Sequence, residues 1–122
     1  MYVYPVGPKE MKIYTVVQPD ICVICDLTKL DDAGCIGAPD LIVEILSPGN
    51  NKKDLKFKYD IYLESGVREY WVIHPEEQTL MIYSLKEGHY VPSRLFVSGD
   101  IVNSNVVDAF ALDVEDLFKN LD

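Results

Sequence analysis

Apolar and polar residues follow one another along the chain in a pattern typical of a β-sheet with helices packed against it. The clearest strand prediction is Pro39–Leu46, which is nearly all apolar, as a strand covered on both faces would be. Other segments rich in β-branched and aromatic residues predict further strands over 12–17, 20–25, 67–74, 79–85 and 90–97. The first eight residues and residues 27–38 are predicted to be irregular.

Two segments show helical rather than strand periodicity. Residues 52–64 are predicted to form a helix because apolar residues recur at helical spacing, at Leu55, Tyr59, Tyr62 and Leu63. Gly66 suits the left-handed position after that helix. A short helix is predicted over 114–121, with Asp113 as its cap. The order of elements predicts an α/β or α+β class with a central mixed β-sheet and a flanking helix.

Length and composition favour one globular domain over residues 1–122. The chain has 48% apolar and 25% charged residues, a balance that permits a real core. No apolar run approaches the roughly 20 residues of a transmembrane helix, and no secretory signal is visible. We therefore expect a cytoplasmic protein with no membrane partner.

The cysteines are three in number, and an odd count without signs of export favours reduced thiols. Cys22 and Cys25 form a C-x-x-C pair inside an apolar run. A zinc or redox site there is a remote alternative, because no second pair or histidine accompanies it.

The net charge of −9, from 20 acidic and 11 basic residues, should make the whole molecule repel nucleic acid and anionic membranes. The basic residues are unevenly distributed, however, and four lie close together on the first predicted helix: Lys52, Lys53, Lys56 and Lys58. Either these lysines form a solvated helix face or they contact DNA phosphates.

Glu44 is the one charged residue inside the strongest strand. A buried carboxylate costs several kcal/mol unless a partner compensates it. Asp40 shares its face of the strand but lies about 13 Å away along the backbone, so Asp20, on the preceding strand, is the candidate partner. Asp20 and Glu44 together would suit magnesium or manganese, with Lys58 neutralising charge on phosphorus. The alternative is a buried Glu44–Lys58 ion pair with no metal.

Several separated blocks of the sequence resemble one known family, in the family's order. The blocks are 17–20, 37–48, Asp54-Leu55 with Lys58 and Tyr62, and 66–73 followed by Pro75. Over residues 12–102 the chain resembles the Uma-type family of putative restriction endonucleases, in the PD-(D/E)XK nuclease superfamily.

The resemblance implies a restriction-endonuclease-like core and magnesium-dependent cleavage of DNA. Asp20 would be the aspartate of the P-D motif, and Glu44 the glutamate of the E-x-K motif, so that both are metal ligands and catalytic. Leu46 occupies the motif's lysine position. The resemblance implies that the lysine lies on the following helix instead, at Lys58, with Lys56 as the fallback. Asp40 matches a further family position, either in the second shell of the site or in a turn.

Members of this family usually carry a longer segment ahead of the first strand, including a helix that packs on the sheet. We therefore expect the core without its amino-terminal helix. One face of the sheet would then be uncovered, which predicts a homo-oligomer, most simply a dimer. The function predicted is a Mg²⁺- or Mn²⁺-dependent endonuclease. The alternative is a catalytically inactive, shortened nuclease fold that acts in binding or assembly.

Overall fold

The computed structural model describes residues 19–23, 38–49 and 52–119 in full, and the backbone of residues 120–121 and of four two-residue strands. In chain order the elements are β1 (Tyr2–Val3), β2 (Thr15–Val16), β3 (Ile21–Val23), β4 (Leu30–Asp31), β5 (Gly34–Cys35), β6 (Leu41–Ile45), α1 (Lys52–Ser65), β7 (Glu69–His74), β8 (Thr79–Lys86), β9 (His89–Pro92), β10 (Ile101–Asn103), β11 (Ala111–Asp113) and α2 (Val114–Leu121).

Five of these strands form one central sheet in the order β3-β6-β7-β8-β9. Only β6 and β7 pair in parallel within it, and α1 makes the crossover between them, as a parallel connection requires. The predicted mixed sheet with a flanking helix is confirmed. The other described strands form three separate two-stranded pairs, β1-β2, β4-β5 and β10-β11.

A buried core lies on each face of β6 and β7, which explains the nearly continuous apolar sequence of β6. Successive side chains of a strand point to opposite faces, so neighbours in β6 and β7 enter different cores. The core on the α1 side contains Ile42, Tyr62, Val67, Tyr70, Val72 and Tyr90. The core on the α2 side contains Leu41, Val43, Trp71, Ile73, Leu80, Ile82, Val102, Val114 and Phe118.

Helix α1 ends in a tight cap that fixes its last turn. Gly66 has a φ of 83°, a left-handed conformation that glycine adopts without steric cost. The Gly66 N–H donates to the Leu63 carbonyl and the Val67 N–H to the Tyr62 carbonyl, at 3.2 and 3.0 Å, which is the Schellman pattern. Val67 and Tyr62 are both fully buried in the same core. The cap therefore anchors Tyr62 against the sheet.

A second buried carboxylate, Glu69, lies on the α2 side of the sheet and is 2% exposed. It accepts hydrogen bonds from Trp71 Nε1, the Ser104 hydroxyl and the Asn105 backbone N–H, at 2.7, 3.0 and 2.8 Å. The Ser104 hydroxyl oxygen in turn accepts the N–H groups of Val106 and Val107. Glu69 thus fastens the segment after β10 to the sheet.

An apolar groove of about 280 Å³ opens on the α2 side of the sheet. Ile21 and Phe110, at its rim, are 50% and 39% exposed. Its other lining residues are all apolar: Val23, Leu41, Val43, Trp71, Ile73, Val107, Leu112 and Leu117.

The main departure from the predicted elements is at β9, which ends at Pro92 instead of continuing to residue 97. Proline has no N–H for the ladder. Beyond Pro92, Ser93 stays bonded to Ile82: its N–H donates to the Ile82 carbonyl at 2.8 Å, and its hydroxyl accepts the Ile82 N–H at 2.9 Å. Phe96 then pairs with Leu80 as an isolated bridge. The regular part of the third antiparallel strand is therefore about half as long as its sequence pattern predicts.

Near the amino terminus, Tyr2–Val3 pairs with Thr15–Val16, where the sequence predicted irregular chain before a strand over 12–17. The rest of that predicted strand lies outside the described residues. The predicted loop over 27–38 contains the short pair β4-β5. Neither described helix has the length and apolar composition needed to cross a lipid bilayer.

Candidate active site

Glu44 lies near the carboxyl end of β6 with 3% of its surface exposed, and each of its oxygens has a different partner. The Tyr62 hydroxyl donates to Oε1 at 2.6 Å. Lys58 Nζ donates to Oε2 at 3.2 Å, from a side chain that remains 27% exposed. The Glu44–Lys58 ion pair, which the sequence offered as the alternative to a metal site, is therefore present.

The local sequence explains why these three side chains meet. Glu44 alternates with Val43 and Ile45, so it points to the face of the sheet on which α1 packs. Lys58 and Tyr62 are four residues apart in α1 and therefore lie one above the other on the same stripe of that helix. Packing this stripe on β6 brings both donors to one carboxylate.

Asp20 lies immediately before β3, the edge strand that pairs with β6. In the register of this pair Ile21 is opposite Val43, so Asp20 comes opposite Glu44. Its Oδ2 accepts the backbone N–H of Ile45 at 2.7 Å. Directly opposed residues in an antiparallel pair have their β-carbons about 5 Å apart. The structure thus brings Asp20, Glu44 and Lys58 together at one edge of the sheet.

Opposing effects act on the pKa of Glu44, and together they raise it. Burial raises the pKa of its carboxyl above the ordinary value, and the negative charge of Asp20 raises it further. The hydrogen bond from Tyr62 and the positive charge of Lys58 act in the opposite direction. Burial and the adjacent Glu44 also raise the pKa of Tyr62, so its hydroxyl keeps its proton and acts as a donor.

This raised pKa gives a pH-dependent stability. The folded chain holds the Glu44 proton more tightly than the unfolded chain, whose value is near 4.5. The contribution of Glu44 to the free energy of unfolding is therefore fully present below that pH and is lost as the pH rises through the folded value. Glutamine does not titrate. As the pH rises from about 4.5 through the folded pKa of Glu44, the stability of Glu44→Gln should therefore increase relative to that of the wild type, by roughly a few degrees in Tm. Melting curves by circular dichroism at several pH values test it; a difference that stays constant or shrinks as the pH rises would contradict it.

The remaining residues predicted for the site lie elsewhere. Asp40 precedes β6 at the far end from the site and forms a salt bridge with Arg68 at 3.0 Å. Lys56 is 77% exposed and pairs with Asp60, four residues on, at 2.9 Å. The lysines that begin α1, Lys52 and Lys53, are exposed.

Two carboxylates, Asp20 and Glu44, lie at this edge and are the groups there that could hold a metal ion. Among the described residues there is no cluster of three or more His, Cys, Asp or Glu side chains. A pair of hard oxygen donors suits Mg²⁺, which often binds one or two carboxylates and takes its other ligands from water and phosphate. Cys22 is exposed on β3, and Cys25 lies outside the described residues, so the cysteine pair predicted as a remote alternative gains no support.

Tyr62 is the residue at this site to which the sequence analysis gave no role. It was one of the residues that carry the family resemblance, but its spacing marked it only as part of the apolar stripe of α1. Its position four residues after Lys58, on a stripe facing the only charge within β6, was the available signal. A tyrosine buried in such a stripe usually needs an acceptor for its hydroxyl.

Comparison with known proteins agrees with this geometry. A family model, Uma2, described as "Putative restriction endonuclease", matches residues 5–115. A solved structure from Anabaena variabilis ATCC 29413, described as a putative nuclease belonging to DUF820, is similar with a TM-score of 0.66 and 26% identity. The similarity covers 84% of this chain and 60% of that one, so this chain spans well under two thirds of that protein's length. No curated protein matches.

The predicted fold class, a restriction-endonuclease-like α/β core, is confirmed by this structural match together with the mixed central sheet. Since the family model extends over nearly the whole sequence, this chain belongs to the Uma2 family.

Proposed function

We propose that this protein is a Mg²⁺-dependent endonuclease that hydrolyses phosphodiester bonds in DNA. The observation that carries the proposal is the convergence of Glu44 with Lys58, at 3.2 Å, beside Asp20 on the neighbouring strand. Two carboxylates and a lysine supply the charges that phosphodiester hydrolysis needs. Membership of the family and the similarity to a protein described as a nuclease support the same reaction.

Asp20 and Glu44 are the residues that would hold Mg²⁺ or Mn²⁺. When bound, such an ion polarises a phosphoryl oxygen and lowers the pKa of a coordinated water. Each carboxylate is held by the scaffold through one oxygen, by the Ile45 N–H for Asp20 and by the Tyr62 hydroxyl for Glu44. The second oxygen of Glu44, Oε2, accepts from the partly exposed Lys58.

Lys58 has a different role in this proposal. Its ammonium group neutralises the negative charge that builds up on the phosphate during attack, and it orients the attacking water. Lys58 is 27% exposed, whereas Glu44 is almost fully buried. The ammonium group can therefore contact a substrate at the surface while it stays beside Glu44. Lys56, the sequence-based fallback, is already paired with Asp60 on the outer face of α1.

The substrate, DNA, must approach a protein whose net charge is −9. We propose that Lys52 and Lys53, exposed at the start of α1, contact its phosphates and offset this repulsion locally. The homodimer also stays a prediction. The apolar groove on the α2 side supports it, because exposed apolar patches of this kind mark association surfaces.

Nicking of supercoiled plasmid tests the proposal. With Mg²⁺ or Mn²⁺ the wild type should convert the plasmid to open circles, and a chelator should stop the reaction. Lys58→Met should lower the rate by about a hundredfold, because it removes a charge that stabilises the transition state. Lys56→Met is the matched control: it removes a lysine two residues away on the same helix and should leave the rate within about twofold of the wild type.

Equal losses from the two substitutions would contradict the assigned role of Lys58 and indicate general contacts of α1 with DNA. A folded wild type that cleaves no plasmid with either metal would overturn the proposal. That result would favour the alternative of an inactive nuclease fold acting in binding or assembly.

A further inference from the structure

Tyr62 contacts the proposed metal ligand, and the function proposed above uses its hydroxyl only as an anchor for one oxygen of Glu44. Its side chain is fully buried, and its hydroxyl oxygen lies 2.6 Å from Glu44 Oε1. A buried hydroxyl has no bulk water as an alternative acceptor, so this short hydrogen bond persists as long as the fold does.

The Tyr62 hydroxyl is also held in place from several directions. The Tyr62 carbonyl accepts the Val67 N–H in the cap that ends α1. The Tyr62 ring packs edge-on against Tyr70, with ring centroids 5.1 Å apart at 73°. Moving the hydroxyl would therefore disturb both the helix cap and the aromatic packing. Lys58, in contrast, is partly exposed and its ammonium can turn away.

The two oxygens of Glu44 are consequently not equivalent. Oε1 is bonded to the hydroxyl of a fully buried side chain, and Oε2 is bonded to the ammonium group of a partly exposed one. We propose that Tyr62 is a positioning residue that holds Glu44 so that only Oε2 is presented to a divalent cation. This inference rests on the proposed function, since it takes Glu44 to be a metal ligand.

The expected consequence is selectivity among cations. A carboxylate that offers a single oxygen suits Mg²⁺ and Mn²⁺, which take compact octahedral coordination. Ca²⁺ is larger, takes six to eight ligands, and often binds both oxygens of one carboxylate. Loss of the Tyr62 hydroxyl would free Oε1. The affinity for Mg²⁺ and Mn²⁺ should then fall, whereas the affinity for Ca²⁺ should change little.

Isothermal titration calorimetry of Tyr62→Phe with Mn²⁺ and with Ca²⁺, in the absence of DNA, tests the inference. Loss of a group that orients a metal ligand should raise the Mn²⁺ dissociation constant about tenfold, and the Ca²⁺ constant by less than about threefold. The Mn²⁺ concentration that gives half-maximal plasmid cleavage should rise by the same factor as the Mn²⁺ dissociation constant.

Tyr90→Phe is the matched control. Tyr90 belongs to the same buried core, 7% exposed, and its hydroxyl donates to the Val67 carbonyl at 2.8 Å without touching Glu44. It should cost similar stability but leave both dissociation constants unchanged. If Tyr62→Phe does not fold, Tyr62→Met also removes the hydroxyl while a flexible side chain fills the space, and the same shifts are expected.

The outcomes separate the two proposals. Mn²⁺ binding that is equal in the wild type and Tyr62→Phe would overturn the inference alone. Equal weakening for Mn²⁺ and Ca²⁺, or the same loss in Tyr90→Phe, would also overturn it, because a loosened pocket would then explain the result. A wild type that binds neither ion would overturn the proposed function and the inference with it.

Discussion

Glu44→Gln should reduce plasmid cleavage by about a thousandfold, since a metal-assisted reaction loses several kcal/mol of transition-state stabilisation with its ligand. The amide has the shape of the carboxylate, and its oxygen can still accept the hydrogen bond from Tyr62. What disappears is the negative charge facing the cleft. The same variant should be at least as stable as the wild type at neutral pH, because a buried charge with a raised pKa has been removed. Initial rates of nicking and thermal unfolding, measured on one preparation, check both.

The matched control is Glu64→Gln, which neutralises an exposed carboxylate on α1 and should leave rate and stability close to those of the wild type. Substantial activity in Glu44→Gln would show that this carboxylate does not act in the chemistry. A loss of activity that accompanies unfolding would instead identify Glu44 as a structural residue.

Glu69→Ala should cost about 3–5 kcal/mol of stability. The change leaves three donors without their acceptor: Trp71 Nε1, the Ser104 hydroxyl and the Asn105 N–H. It also opens a cavity beneath the segment after β10. A fall in Tm of more than about 10 °C in thermal melts would agree with this expectation.

Two variants calibrate this prediction. Glu69→Gln keeps one accepting oxygen and should cost less than half as much as alanine. Glu77→Ala removes an exposed carboxylate in the turn after β7 and should change Tm little. If Glu69→Ala melts within about 2 °C of the wild type, the carboxylate is not the fastening of that segment.

The sheet and helices were predictable where a single period dominates the sequence. The run over 39–46 predicted a strand buried on both faces, and the structure has β6 at Leu41–Ile45, between two cores. The stripe over 52–64 predicted α1, which ends one residue later, and Gly66 has the left-handed conformation predicted for it. The helix over 114–121 is confirmed, with the Asp113 side chain accepting the Glu115 N–H at 2.9 Å.

The length of β9 could not be read from propensity, because the pattern over 90–97 continues past Pro92. Regular pairing stops at Pro92, and beyond it Ser93 is bonded to Ile82 through both its N–H and its hydroxyl. Such a tertiary contact leaves no local period. The salt bridge of Asp40 could not be predicted from local sequence either, because its partner Arg68 comes 28 positions later in the chain, after α1.

The candidate site was only partly visible in the sequence. The cost of burying Glu44 pointed to a partner, and helical spacing placed Lys58 near it. Asp20 required the pairing of β3 with β6 to be known. The contact of Tyr62 with Glu44 was hidden, because apolar periodicity predicts that a tyrosine is buried but not whether its hydroxyl donates a hydrogen bond.

Trp71 is the single tryptophan of the chain, and its indole N–H is bonded to Glu69 on the opposite face of the sheet from Glu44. Its intrinsic fluorescence therefore originates in the α2-side core, and a buried indole emits at shorter wavelengths than a hydrated one. Substitutions around Glu44 leave that environment untouched unless the fold itself gives way. The molecule thus carries its own optical reporter, one that separates a damaged active site from a damaged protein.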